Sequence, residues 1–162
     1  MSVPISKIMV YIDGTEGSIA AAQYAVALSR STGAELCALY VVNMRALDDL
    51  LRSRIFLKDE QEDYQRDLEA DADRYLNHVR ELAREKGVSI DTLKTSGAVN
   101  QEIKNLITER EIDLLVLGEL AHIRSRRDAF YDEAERAMRS VSCSVLIVKD
   151  EERVQEMYDT LE

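Results

Sequence analysis

KIMVYI, residues 7–12, runs straight into DGTEGS, residues 13–18. The six residues after Ser6 are apolar on both alternations apart from Lys7. That is how a strand reads when both its faces are covered, as in a parallel sheet. The polar, glycine-bearing DGTEGS forms a turn. An alanine-rich helix follows over about Ser18–Thr32, with Gly33 as its C-terminal stop. ELCALYVV, residues 35–42, is a second buried strand. Strand, helix and strand at this spacing make one right-handed crossover unit.

The alternation continues to the end of the chain. Arg45–Leu57 mixes leucines with charges and reads as a short helix or a lid. A long helix is expected over about Asp59–Lys86, because Tyr64, Leu68, Ala72, Tyr75, Val79 and Leu82 step by three or four along one face. Gly87 ends it. Val88–Thr95 alternates more strongly and reads as an edge strand with a wetter face. A helix over Val99–Arg110, a buried strand over Asp113–Gly118, a helix near Asp128–Ser140 and a last strand over Ser144–Val148 complete an α/β pattern. The fold expected is a doubly wound five-stranded parallel sheet with helices on both faces. Residues 1–150 form one domain, and residues 151–162 a tail with some helical character.

Composition narrows the function classes. The chain has 162 residues and is 46% hydrophobic, enough for a single well-filled core. Its net charge of −10 argues against a nucleic-acid partner, since phosphates demand a basic face. No apolar run is long enough to insert into a membrane, and the opening residues lack the pattern of a signal peptide. Cys37 and Cys143 sit in apolar contexts and read as inert core thiols, consistent with a reducing cytoplasm. His78 reads as a surface residue. Neither His78 nor His122 has a spacing to cysteine or histidine that would suit a metal.

In a doubly wound sheet, ligands bind beyond the carboxyl ends of the strands where the winding reverses. The candidate pocket is therefore lined by Ile12–Asp13–Gly14, Val41–Val42 and Leu117–Gly118. Known enzyme templates fail: there is no nucleophile elbow, no P-loop lysine motif and no dinucleotide fingerprint at Gly14–Gly17. A phospho-receiver would suit Asp13 and Lys149, but the third strand ends Leu93-Lys94-Thr95 without the aspartate such a site needs. No catalytic residue is assigned, and a non-enzymatic role is expected.

The pocket residues carry a resemblance. KIMVYIDGTEGS resembles the opening strand and turn of the universal stress protein family, and ELCALYVV its second strand. TSGAVNQEIKNLITEREIDLLVLGELA is similar to its third-strand exit, third helix and fourth strand. RAMRSVSCSVLIVKD resembles its closing segment, with Cys143-Ser144 where Cys-Pro is usual. The likeness covers roughly residues 5–150. It implies a strand order of 3-2-1-4-5 and cytoplasmic homodimers linked to stress survival, some of which bind ATP. In ATP-binding members the strand-one aspartate, here Asp13 beside Gly14, and the strand-two backbone, here Val41, hold the adenosine. A Gly-x2-Gly-x9-Gly-Ser/Thr loop beginning at Gly118 wraps the phosphates.

This chain keeps the spacing and changes the residues: the second glycine is Ala121, and the Gly-Ser/Thr pair is Tyr131-Asp132. Tyrosine is bulky where backbone N–H groups must approach a phosphate, and aspartate repels it. The resemblance therefore implies a regulatory module with weak or no ATP binding and no cofactor. The alternative is an adenine-nucleotide binder with slow hydrolysis. Asp13 also suits a second role, organising the Gly14–Thr15 turn through an Asx hydrogen bond. Arg124, Arg126 and Arg127 read either as a substitute anion clamp or as a solvated run paired with Asp128, Asp132 and Glu133. Self-association is expected through strand five, whose bare SVLIV edge would be a hazard, with Val154, Met157, Tyr158 and Leu161 of the tail adding apolar area. The sequence names no other protein partner.

Overall fold

The computed structural model describes residues 3–43, 58–120 and 133–162. In order, these form β1 (Lys7–Ile12), α1 (Glu16–Thr32), β2 (Glu35–Asn43), α2 (Lys58–Glu85), β3 (Asp91–Gly97), α3 (Val99–Glu109), β4 (Leu114–Gly118), α4 (Glu133–Ser140), β5 (Ser144–Val148) and α5 (Glu151–Thr160). The five strands make one parallel sheet in the order β3-β2-β1-β4-β5. Each strand after the first returns through a helix, so successive parallel neighbours need no tight hairpin. The expectations for Arg45–Leu57, and for Ala121, His122, the three arginines and Tyr131-Asp132, lie outside the described residues.

The sheet separates two apolar layers. Ile8, Val10 and Ile12 point to the side of α1 and α2, while Met9 and Tyr11 point to the side of α3 and α4. This two-sided burial is why β1 reads as an unbroken apolar run. α1 is covered almost all round. Ala20, Ala21, Ala22, Ala25, Val26 and Ala27 are buried, and so is Gln23, whose amide donates to Gln155 Oε1 at 2.8 Å. α1 packs against β1 and β4 and also against α5. Its alanines suit that position, because a helix held between two layers needs thin side chains on both sides.

Three expectations shift. α1 begins at Glu16, before Ser18, because Thr15 is its N-cap: Thr15 Oγ1 accepts from the Ser18 N–H at 3.1 Å. β3 starts at Asp91, three residues beyond Val88. The Val88 N–H bonds to the Ala83 carbonyl and the Gly87 N–H to that of Arg84, with Gly87 at φ +69°. That is a Schellman closure, and it commits Val88 to ending α2. Residues 151–162 are a docked element of the core. Val154 and Tyr158 are buried within the subunit, so of the apolar area expected for self-association only Met157 and Leu161, both half-buried, remain at the surface.

Candidate functional site

At the carboxyl edge the sheet opens where the winding reverses. β1 pairs with β4 only from Ile8 to Val10, and with β2 from Lys7 to Ile12. β2 continues past Tyr40 to Asn43, still paired with β3 through Val41↔Thr95, Val42↔Ser96 and Asn43↔Gly97. The β2 overhang, the Asp13 turn and the end of β4 therefore surround one crevice, as the position of such sites in open α/β sheets requires.

Asp13 is exposed, and one oxygen of its carboxylate is already engaged. Asp13 Oδ1 accepts from the Thr15 N–H at 3.0 Å and from Thr15 Oγ1 at 2.6 Å. The same Thr15 hydroxyl oxygen accepts the α1 capping bond, so the aspartate, the threonine and the helix start form one chain of bonds. The turn-organising role expected of Asp13 is thus present. Gly14 holds φ +87°, the left-handed region that glycine enters at least cost. A Cβ placed on it would meet the Tyr75 ring at 2.7 Å.

Tyr75 stacks on Tyr40, with ring centroids 6.1 Å apart and planes within 7°. The Arg74 guanidinium lies 5.2 Å from the Tyr75 centroid. Burial, followed by the charge of nearby Asp71, pushes the Tyr40 phenol above its ordinary pKa, and Asp13 adds to the effect. Val41 is buried on the other face of the sheet, which leaves its backbone as the part that reaches the crevice. Gly118 ends β4 against the first turn of α1. A Cβ there would stand 2.5 Å from both the carbonyl carbon and the oxygen of Gly17.

The four expected site residues are therefore near one another, but not as an open cradle. Sequence reasoning placed Tyr75 on the inward face of α2 and missed its seat on Gly14. It read Gly118 as a phosphate contact and missed Gly17. An aromatic late in a strand, with another on the following helix, was the available signal for Tyr40 and Tyr75. A second groove of about 700 Å³ opens at the opposite, amino edge, lined among others by Lys7, Arg30, Leu36, Asp91 and Arg110. The carboxyl ends of α1, α2 and α3 arrive there, and Arg110 pairs with Asp91 at 3.6 Å. Its place is thus the reverse of the usual ligand edge.

Cys37 is buried, and burial pushes its thiol up to about 11. Cys143 is half-buried, with its pKa also raised by burial. Thiolate is the reactive form, so both should be sluggish at pH 8. In a thiol-reagent time course on the native protein, Cys143 should label slowly and Cys37 only after unfolding. Fast labelling of Cys37 would contradict this.

Residues 4–149 match the universal stress protein family. A universal stress protein of Methanocaldococcus jannaschii is 29% identical over 150 residues, covering 88% of this chain and 81% of its own. Among solved structures, a universal stress protein family member from Burkholderia pseudomallei shares the fold with a TM-score of 0.70 at 20% identity, over 93% of this chain and 100% of that one. A family protein of Arabidopsis thaliana, solved with AMP bound, gives 0.63 at 16% identity, over 89% and 91%. The sheet order, the crevice and a match over nearly the whole length agree: the chain belongs to the universal stress protein family.

Proposed function

We propose that this chain is a universal-stress-type regulatory module, cytoplasmic and non-enzymatic, that works as a homodimer through contact with a protein partner and binds ATP weakly or not at all. The observation that carries this is the state of Asp13. One oxygen of its carboxylate, Oδ1, is bonded into the chain's own turn, and the sequence carries Ala121, Tyr131 and Asp132 where the family's phosphate-binding pattern has Gly, Gly and Ser/Thr. The dimer rests on β5. It is an edge strand whose Val145, Leu146 and Ile147 are only half-buried, and pairing across a two-fold axis would satisfy it.

The second reading, an adenine-nucleotide binder with slow hydrolysis, is favoured by one finding: a structurally similar Arabidopsis thaliana protein was solved with AMP bound. Retained Asp13 and Gly118 are compatible with it. Calorimetry separates the two. Hydrogen bonds to charged groups contribute roughly 1.5–3 kcal/mol each, so losing two or three turns a micromolar site into one near millimolar. ATP should therefore bind no more tightly than about millimolar, and micromolar binding would establish the second reading instead. Light scattering at tens of micromolar should show a dimer, because interfaces of micromolar affinity are mostly formed there. A monomer would remove that part of the proposal.

A further inference from the structure

The Tyr40–Tyr75 pair does more than fill the core. Tyr75 reaches the carboxyl edge from α2, lies on the glycine that follows Asp13, and stacks in parallel on the tyrosine that ends the β1-paired part of β2. The Arg74 guanidinium adds a cation beside the same ring. A flat aromatic group thus already stands against the Asp13–Gly14 turn, on the bare backbone that glycine provides. We infer that Tyr75 decides whether a planar base can enter this crevice, because its ring occupies the space beside Asp13 that a purine would need. The inference rests on reading the Asp13 crevice as a nucleotide-type site, and it concerns the base half of that site rather than the phosphate half.

The physical argument is one of competing occupants. A side chain tethered in place blocks the site according to the fraction of time it is seated, and the apparent affinity of a ligand falls by the fraction of molecules left open. An offset-stacked aromatic pair within normal centroid spacing holds the seated form by enough to leave roughly one molecule in ten open. Gly14 makes the seat possible, since a side chain there would collide with the ring.

Adenosine is the probe, because it carries the base and ribose without phosphates and so bypasses the loop that begins at Gly118. Titration calorimetry of the parent, Tyr75→Phe and Tyr75→Ala should show Tyr75→Ala binding adenosine about tenfold more tightly than the parent. Tyr75→Phe keeps the ring and should match the parent. If Tyr75→Ala does not fold by circular dichroism, Tyr75→Leu, which keeps apolar bulk on α2 without a ring, serves in its place with the same expectation. Equal affinity in parent and variant, including silence from both at the solubility limit of adenosine, overturns the inference. So does weaker binding by the variant, which would make Tyr75 a stacking platform. The ratio between variant and parent tests Tyr75, whereas the parent's affinity for ATP tests the weak-binding reading, so either can fail without the other.

Discussion

Tyr158→Ala should lower the unfolding free energy by about 3–5 kcal/mol, the usual cost of truncating a buried aromatic to alanine. Its ring is 4% exposed, on the inward side of α5, with Lys86 Nζ 4.7 Å from its centroid. The hydroxyl donates to the Leu82 carbonyl at 2.8 Å and lies 3.0 Å from Glu85 Oε2. That carbonyl belongs to the last turn of α2, where the Lys86 N–H has turned to Ala83. Carbonyls at a helix end lack their helical donors, and Tyr158 supplies one from another element. Lys86 Nζ in turn donates to the Leu161 carbonyl at 2.7 Å, closing the contact from the other side. Tyr158→Phe isolates the polar part and should cost about 1–3 kcal/mol, the penalty for an unsatisfied buried group. Urea unfolding checks both. For a chain of this size, the alanine variant should also lose on the order of 10 °C in Tm. A loss under about 1 kcal/mol would mean that α5 is not docked in solution.

The other large effect is expected at Gly118. Its backbone φ is ordinary, so the constraint is purely one of space: an added Cβ would meet the Gly17 carbonyl at 2.5 Å and the Ser18 nitrogen at 2.8 Å. These are main-chain atoms in the first turn of a helix that is buried between layers, and they cannot swing aside as a side chain does. β4 is equally fixed, since Gly118 pairs in register with Val148 of β5. Gly118→Ala should therefore cost about 3 kcal/mol, the upper end of ordinary overpacking penalties. Gly17→Ala is the control. Its Cβ would find its nearest neighbour at 3.6 Å, an ordinary contact, and alanine is the better helix former by about 1 kcal/mol. The pair should differ by several kcal/mol in denaturant midpoints converted to free energy. Equal stability would show that β4 and α1 do not meet so closely.

Much of the architecture was legible because buried parallel strands leave no polar alternation to confuse. KIMVYI and DLLVLG could hardly be anything else once glycine-bearing turns bounded them. β3 was misplaced by three residues because Val88 and Ile90, apolar enough for a strand, are used in closing α2 and covering its end. Periodicity put Tyr64 to Leu82 on one face of α2 correctly, yet a helical period says only which way a residue points. It does not say that Tyr75 arrives at Gly14 while Val79 arrives in the core. The crevice was locatable from topology alone. Its contents were not, because the contacts of Gly118 with Gly17 and of Tyr75 with Gly14 join residues that no local pattern relates.

The family match ends at residue 149, but folding does not. α5 lies beyond that limit and packs on α1, with Gln155 accepting from the buried Gln23. A chain trimmed to the matching segment would keep every strand and every crevice residue. It would also expose one flank of the alanine helix to water, leave Gln23 without its amide partner, and strip the Leu82 carbonyl of its donor. In this protein the segment that matches the family is thus smaller than the segment whose side chains make up the core.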